Sequence, residues 1–409
     1  MDEVLVIKDC RAVDERGDRD GLVDIVIEGG RIAEIRSARK AGIPKGAREY
    51  PGAGATVVPG LVNMHEHLGN AHPGTLEEEA IAGEDDTARV VRMAGNAQKA
   101  LRVGVTTLRL VGEKGGLEVR VRDGIEMGLI EGPRIRTAGA PLDFRGGHGG
   151  TVGALEGESA EEYGRLAREV IDSGADLLKL MICGGGAGQD LDNVRMPLED
   201  FQAIRAAARQ AGLRMALHTA AIDHPIMDVL LDDGVDSLEH CYRLPDHVLE
   251  RCLAQDILLV MTPLVGRSPE YFQTIRLAPD MVENLNQAGK SHWPAIRKAV
   301  EKGARLALGT DFHSHLEFGG TSAPVRELEV YEEAGVEPTA LLSLASRNGA
   351  SWLGLGDQLG LVEEGFLADL LVLEESPLET GASAFRSMRQ VIARGQLYET
   401  RPPELPPGA

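Results

Sequence analysis

An apolar run, Val57-Val58-Pro59-Gly60-Leu61-Val62-Asn63-Met64, ends on His65-Glu66-His67, and it constrains this chain more than any other stretch. In a β-strand the side chains at i and i+2 project to one face, so His65 and His67 point together. A polar loop, Gly69-Asn70-Ala71-His72-Pro73-Gly74, follows at once and puts both histidines at the strand's C-terminal end. In a parallel barrel that edge carries the chemistry. A lone His-x-His often only satisfies polar neighbours, so its meaning depends on what the other strand ends carry.

Downstream the pattern alternates between strand and helix. Strand-like runs are 105–110, 134–138, 177–182, 214–218, 237–240, 257–261 and 305–311. Helical stretches separate them at 87–102, 117–127, 160–172, 198–211, 224–232, 246–254 and 279–303. Counted from Val57, these are eight βα units over about 300 residues, which predicts an α/β fold of the (β/α)8 TIM-barrel type. The two ends read differently. Val4–Ile7, 23–28 and 31–35 are strands, with Gly29-Gly30 as a hairpin turn and a linker at 41–55. Strands recur at 370–373 and 390–393, ahead of a Pro-rich tail at 402–409. Residues 1–56 and 358–409 are therefore expected to form one small β-sandwich domain, with the barrel at 57–357.

Metal-ligating residue types recur at the C-terminal strand ends. His65 and His67 close the first strand, His218 the fifth, His240 the sixth and Asp311 the eighth, while Lys179 lies in the fourth. Each has an ordinary reading alone, as a satisfied core histidine, a paired lysine or a helix cap. Six at five strand ends on one face favour a metal centre. Lys179 sits among Leu177, Leu178, Leu180 and Met181, where burying an ammonium is costly. Desolvation lowers a lysine's pKa, and a neutral amine takes up carbon dioxide to give a carbamate, an anionic donor able to bridge two cations. Imidazole and carboxylate donors suit zinc best.

The formal net charge of −21 argues against a nucleic-acid partner. Cys10, Cys183, Cys241 and Cys252 lack CxxC spacing, so neither a disulfide framework nor a zinc ribbon is expected. The strand-like start and the lack of any run of transmembrane length point to a cytoplasmic protein without a membrane partner. A homo-oligomer acting on a small molecule is expected.

Pro59-Gly60-Leu61-Val62-Asn63-Met64-His65-Glu66-His67, Lys179 with its glycines, His218, Ser237-Leu238-Glu239-His240 and Leu308-Gly309-Thr310-Asp311 resemble the amidohydrolase superfamily. The segment 359–370 resembles that superfamily's return into its β-sandwich. The resemblance implies two divalent cations: His65, His67 and Asp311 on one, His218 and His240 on the other, and N6-carboxylated Lys179 as the bridge. It implies a bridging hydroxide attacking an amide-type C–N bond, with Asp311 transferring the proton. Gly146-Gly147-His148-Gly149 resembles the Xaa-Pro dipeptidase (prolidase-like) and imidazolonepropionase-related branch, in which His148 would meet the substrate carbonyl. Two positions differ from that branch. Ala220 stands where a tyrosine is common, and Arg109-Leu110 where Arg-Asp is common.

Arg109 and Arg145 are candidates to hold a substrate carboxylate bidentately, which would favour a dipeptide or N-acyl amino acid. Opening of a lactone or cyclic amide, or mononuclear deamination, are the alternatives. His72, His313 and His315 are placed at the mouth, and His224, His247 and His292 on helix surfaces.

Overall fold

The computed structural model describes residues 4–19, 21–38, 42–71, 75–184, 194–219, 226–267, 269–318 and 320–400. Chain ends meet in a nine-stranded sheet. Its main path runs Gln396–Tyr398, Met388–Ala393, Leu370–Leu373, Thr56–Pro59, Leu5–Asp14, Val23–Glu28 and Arg31–Ser37. Ile7, Ile25, Ile27, Val57, Leu370, Val372 and Ile392 form its apolar core, so strands from opposite ends of the sequence bury one another. Gly29 and Gly30 turn the Val23–Glu28/Arg31–Ser37 hairpin at φ of +57° and +73°, which only glycine adopts freely.

Strands between these ends are parallel and covered by helices, apart from the short antiparallel pair Glu317–Phe318 and Thr321–Ser322. Leu61–Glu66, Val105–Leu110 and Arg134–Thr137 form one sheet. Leu177–Met181, Arg214–Thr219, Ser237–His240 and Leu258–Val260 lie in register in a second, which also holds the short strands Leu142–Asp143 and Leu155–Glu156. Nearly every residue of the longer strands is buried, as expected of a parallel sheet with cover on both faces. Amphipathic helices supply that cover. In Ala160–Asp172, Tyr163, Leu166, Ala167 and Val170 face inward at helical spacing, and Ser159 caps the start by accepting from the Glu162 amide.

Three sequence expectations need correction. The run 57–67 is not one strand: Thr56–Pro59 pairs with Leu370–Leu373 in the terminal sheet, and Leu61–Glu66 starts the parallel region after Gly60. The 41–55 stretch is not only linker, since Arg48–Pro51 pairs parallel with Leu5–Asp14. The segment 305–311 makes one ladder bridge, Leu259 to Leu306, instead of a regular strand. It still lies between its expected neighbours, with Ala307 N donating to Leu259 O (3.1 Å) and Met64 N to Leu308 O (2.8 Å). Regular pairing stops because Gly309 N donates to the Glu327 carboxylate (2.7 Å) and Asp311 turns left-handed, at φ +57°. The tail at 402–409 lies outside the described residues. No described helix is long and apolar enough to cross a membrane.

Gly60 joins the two regions: its N–H donates to Asp369 O at 2.9 Å, and a Cβ there would overlap the Thr106 side chain. Gly60→Ala should therefore lower the unfolding free energy by about 1–3 kcal/mol, the usual cost of overpacking. Denaturant titration measures it, and an unchanged midpoint would show that Thr106 gives way freely.

Candidate active site

The strand ends converge on a cavity of about 200 Å³ lined by His65, His67, His148, Lys179, His218, His240 and Asp311, among others. His65 Nε2 lies 3.4 Å and His67 Nε2 3.7 Å from Asp311 Oδ1. One potential ligand atom from each of His65, His240 and Asp311 falls within 4.8 Å of the others. The His218 ring is 4.5 Å from His240 and 4.6 Å from His148, centroid to centroid.

Outer hydrogen bonds fix how each imidazole faces. His65 Nδ1 donates to Glu239 at 2.7 Å and His67 Nδ1 to Gly112 O at 2.8 Å, so both present Nε2 inward. His218 turns Nε2 toward Gly184 O at 3.3 Å, and His240 Nδ1 bonds Thr262 Oγ1 at 3.0 Å. Burial, opposed in part by Asp311, holds the His67 pKa down at about 4. Burial and neighbouring basic groups also hold His218 and His240 well below the usual imidazole range. Neutral imidazole is the form that binds metal.

Lys179 is buried at 2% exposure, and among the described residues its Nζ has no hydrogen-bond partner. Burial is the main cause that brings its pKa to about 8. An orphaned buried amine in a cavity shared with several histidines and Asp311 suits a group that carries, or contacts, something bound there.

Asp311 is set by the segment that carries it. Its N–H donates to His65 O at 2.8 Å, and Thr310 N donates to Asn63 Oδ1 at 3.1 Å. Asn63 Nδ2 in turn donates to Glu66 (2.7 Å), whose carboxylate also accepts from Ser314 N (3.1 Å). His148 sits on a loop organised by Asp143, whose carboxylate accepts from Phe144 N (2.8 Å) and Gly149 N (2.7 Å). Burial raises Asp143 to about pKa 7 and, with Lys179 adding to it, lowers His148 to about 4. His148 Nδ1 has no partner among the described residues.

Neither arginine reaches the cavity. Arg109 is fully buried, with Nε donating to Met64 O (2.5 Å), Nη1 to Ser237 Oγ (2.9 Å) and Nη2 to Glu239 (2.7 Å). Its guanidinium also lies 4.6 Å from the Trp352 ring. The expected substrate contact fails because every face of the group is engaged inside the fold. Arg145 is exposed and pairs with Glu158 at 2.8 Å, and it is not among the cavity-lining residues. His313 lines the cavity, and His315 stacks against it at 5.2 Å. His247 is exposed, but His292, expected on a surface, is 1% exposed and meets Tyr242 edge-on. His72, Ala220 and His224 lie outside the described residues.

The sequence reading missed Glu239, Tyr242 and Asp143. Tyr242 lines the cavity with its ring stacked on His240 at 5.9 Å. Glu239 had a visible signal, a charge between Leu238 and His240 in an apolar strand.

A family model described as "Amidohydrolase family" matches residues 56–397. The chain belongs to this family. It is an enzyme that hydrolyses amide-type C–N bonds, in a family that depends on metal. An ochratoxinase from Aspergillus niger is 26% identical over 352 residues, covering 79% of this chain and 71% of that protein. An imidazolonepropionase from Streptomyces avermitilis is 25% identical over 375 residues, covering 86% and 80%. The crystal structure of a Xaa-Pro dipeptidase with bound methionine has a TM-score of 0.84 at 24% identity, covering 97% of this chain and all of that one, which shows a shared fold.

Arg109→Ala would leave Glu239 charged, buried and short of its cation. Unfolding free energy should fall by about 3–5 kcal/mol, the scale for breaking a buried pair. A variant with wild-type stability and only a raised KM would restore Arg109 to substrate binding.

Proposed function

We propose that this amidohydrolase is a binuclear metal-dependent enzyme that cleaves an amide-type C–N bond in a small molecule. The observation that carries this reading is the convergence of His65, His240 and Asp311 beside the orphaned Lys179 amine. His65, His67 and Asp311 would hold one cation and His218 and His240 the other, with Lys179, carboxylated by carbon dioxide, bridging them. The mixed imidazole and carboxylate donors favour zinc. When bound, the cations would supply an activated water and polarise the scissile carbonyl.

The chain's own groups do the rest. Asp311, held by His65 O, Asn63 and Glu66, takes the proton from the attacking water and returns it to the leaving nitrogen. His148, neutral and steadied through Asp143, donates a hydrogen bond to the carbonyl oxygen as charge develops there. Burial of the site keeps these contacts in a medium of low dielectric.

This reading includes closure of the parallel strands into a (β/α)8 barrel over 57–357, with 1–56 and 358–409 as a composite β domain. The hydrogen bonds of segment 305–311 to both Leu61–Glu66 and Leu258–Val260 support closure. The four cysteines are free and buried, which supports a reducing cytoplasmic setting. Opening of a lactone or cyclic amide is a second reading. It is favoured over a dipeptide or N-acyl amino acid by the engagement of both arginines elsewhere.

Lys179→Ala should reduce metal content from two ions per chain toward one and abolish turnover, with partial rescue by a short carboxylic acid. Full turnover with two tightly bound metals would remove the bridging role. Asp311→Asn should keep the fold and lower kcat by at least about a hundredfold, the lower range for a lost general acid–base. Near-normal kcat in a metal-loaded Asp311→Asn protein would take this residue out of proton transfer.

A further inference from the structure

We propose that the pocket takes an uncharged substrate whose apolar group lies against a wall formed by Val265, Leu277, Met281, Leu285 and Phe312. This inference rests on the amide-hydrolysis reading and adds the substrate class to it.

Four of these five residues come from the long connection between Leu258–Val260 and segment 305–311, and none has a part in the proposed chemistry. The helices of that connection pack closely where Gly266 meets Gly289; a Cβ on Gly266 would be 3.0 Å from Gly289 Cα. Behind the wall, Tyr271, Phe272 and Ala323 belong to the same apolar cluster, so the wall is backed by packed side chains. Its front faces the histidines. Leu277 and Leu285 each keep 8% exposure and Met281 is half-buried. A concave apolar face with a few polar groups opposite it is the usual form of a site for an apolar ligand group.

Charge points the same way. Lys179 is the one ammonium or guanidinium among the described residues that line the cavity, and the proposed chemistry employs it. His313 at the mouth already faces Glu77 at 3.6 Å. A net charge of −21 also disfavours the approach of an anion. A free carboxylate moved into this pocket would give up its water against an apolar wall and find, among the described residues, no ammonium or guanidinium besides Lys179.

A matched pair of para-nitroanilides tests this, hexanoyl against glutaryl, since the second ends in a carboxylate at nearly the same length. Their uncleavable ketone isosteres are titrated calorimetrically into the metal-loaded full chain. The hexanoyl ketone should bind at least about tenfold tighter than the glutaryl ketone, the discrimination of a modest apolar contact. Equal or tighter glutaryl binding would overturn the proposal. Met281→Glu should erase the preference without changing metal content or melting temperature, and the neutral Met281→Gln should reduce it in the same direction. Preference intact in both variants would also overturn it. Selective ketone binding without hydrolysis of either anilide would support the pocket assignment and count against amide hydrolysis alone.

Discussion

The buried Arg109–Glu239 pair is the contact on which the active site rests. Both side chains are fully enclosed, and desolvating two charges costs more than an ordinary ion pair returns. Here the cost is offset by saturation: Arg109 donates to Met64 O, Ser237 and Glu239 and lies over Trp352. Burial disfavours ionisation of Glu239, yet Arg109 and then His65 outweigh it and hold its carboxyl at about pKa 2. The pair therefore ties Val105–Leu110, Leu61–Glu66 and Ser237–His240 together through side chains. One oxygen of the same carboxylate fixes His65 with Nε2 toward Asp311.

Lys179 shows the opposite arrangement within the same interior. It too is a buried cation, but no hydrogen bond among the described residues satisfies it. Two buried cations on separate strands, one saturated and one orphaned, separate a structural group from one kept available. The stability lost in leaving Lys179 unsatisfied makes sense if the amine is modified or ligated in the working enzyme. Backbone strain gathers at the same strand ends, where His240, Cys241, Thr262 and Asp311 all have positive φ, between +46° and +67°.

The α/β alternation and the side chains that gather around the cavity were legible in the sequence because period and residue type carry that information. His65, His67, Lys179, His218, His240 and Asp311 could each be found as a polar residue at or near the end of an apolar run. Arg109 obeyed the same rule and was misread. In a strand buried on both faces, alternation does not say whether a polar side chain faces the cavity or a neighbouring strand. Its partner Glu239 is 130 residues away. The irregular segment 305–311 reads as a strand for a related reason, since the side-chain acceptors that replace its ladder, Glu327 in a following helix and Asn63 247 residues back, leave no mark on its own pattern.

The apolar wall was least legible of all, and its origin explains why. The proposed metal-ligand set is drawn mostly from strands whose register fixes it within a narrow range of geometry. The wall is drawn from helices whose apolar residues look, in sequence, like any core-facing stripe, and most of their neighbours are indeed core. Only the residual exposure of Leu277, Met281 and Leu285 toward the histidines distinguishes them. Chemistry and selectivity thus rest on separate elements, one held by ladders and buried charge, the other by helix packing at Gly266 and Gly289. A change in the connection can then alter what fits without disturbing His65, Lys179 or Asp311. The long stretch between Leu258–Val260 and segment 305–311 is accordingly where this chain's selectivity resides.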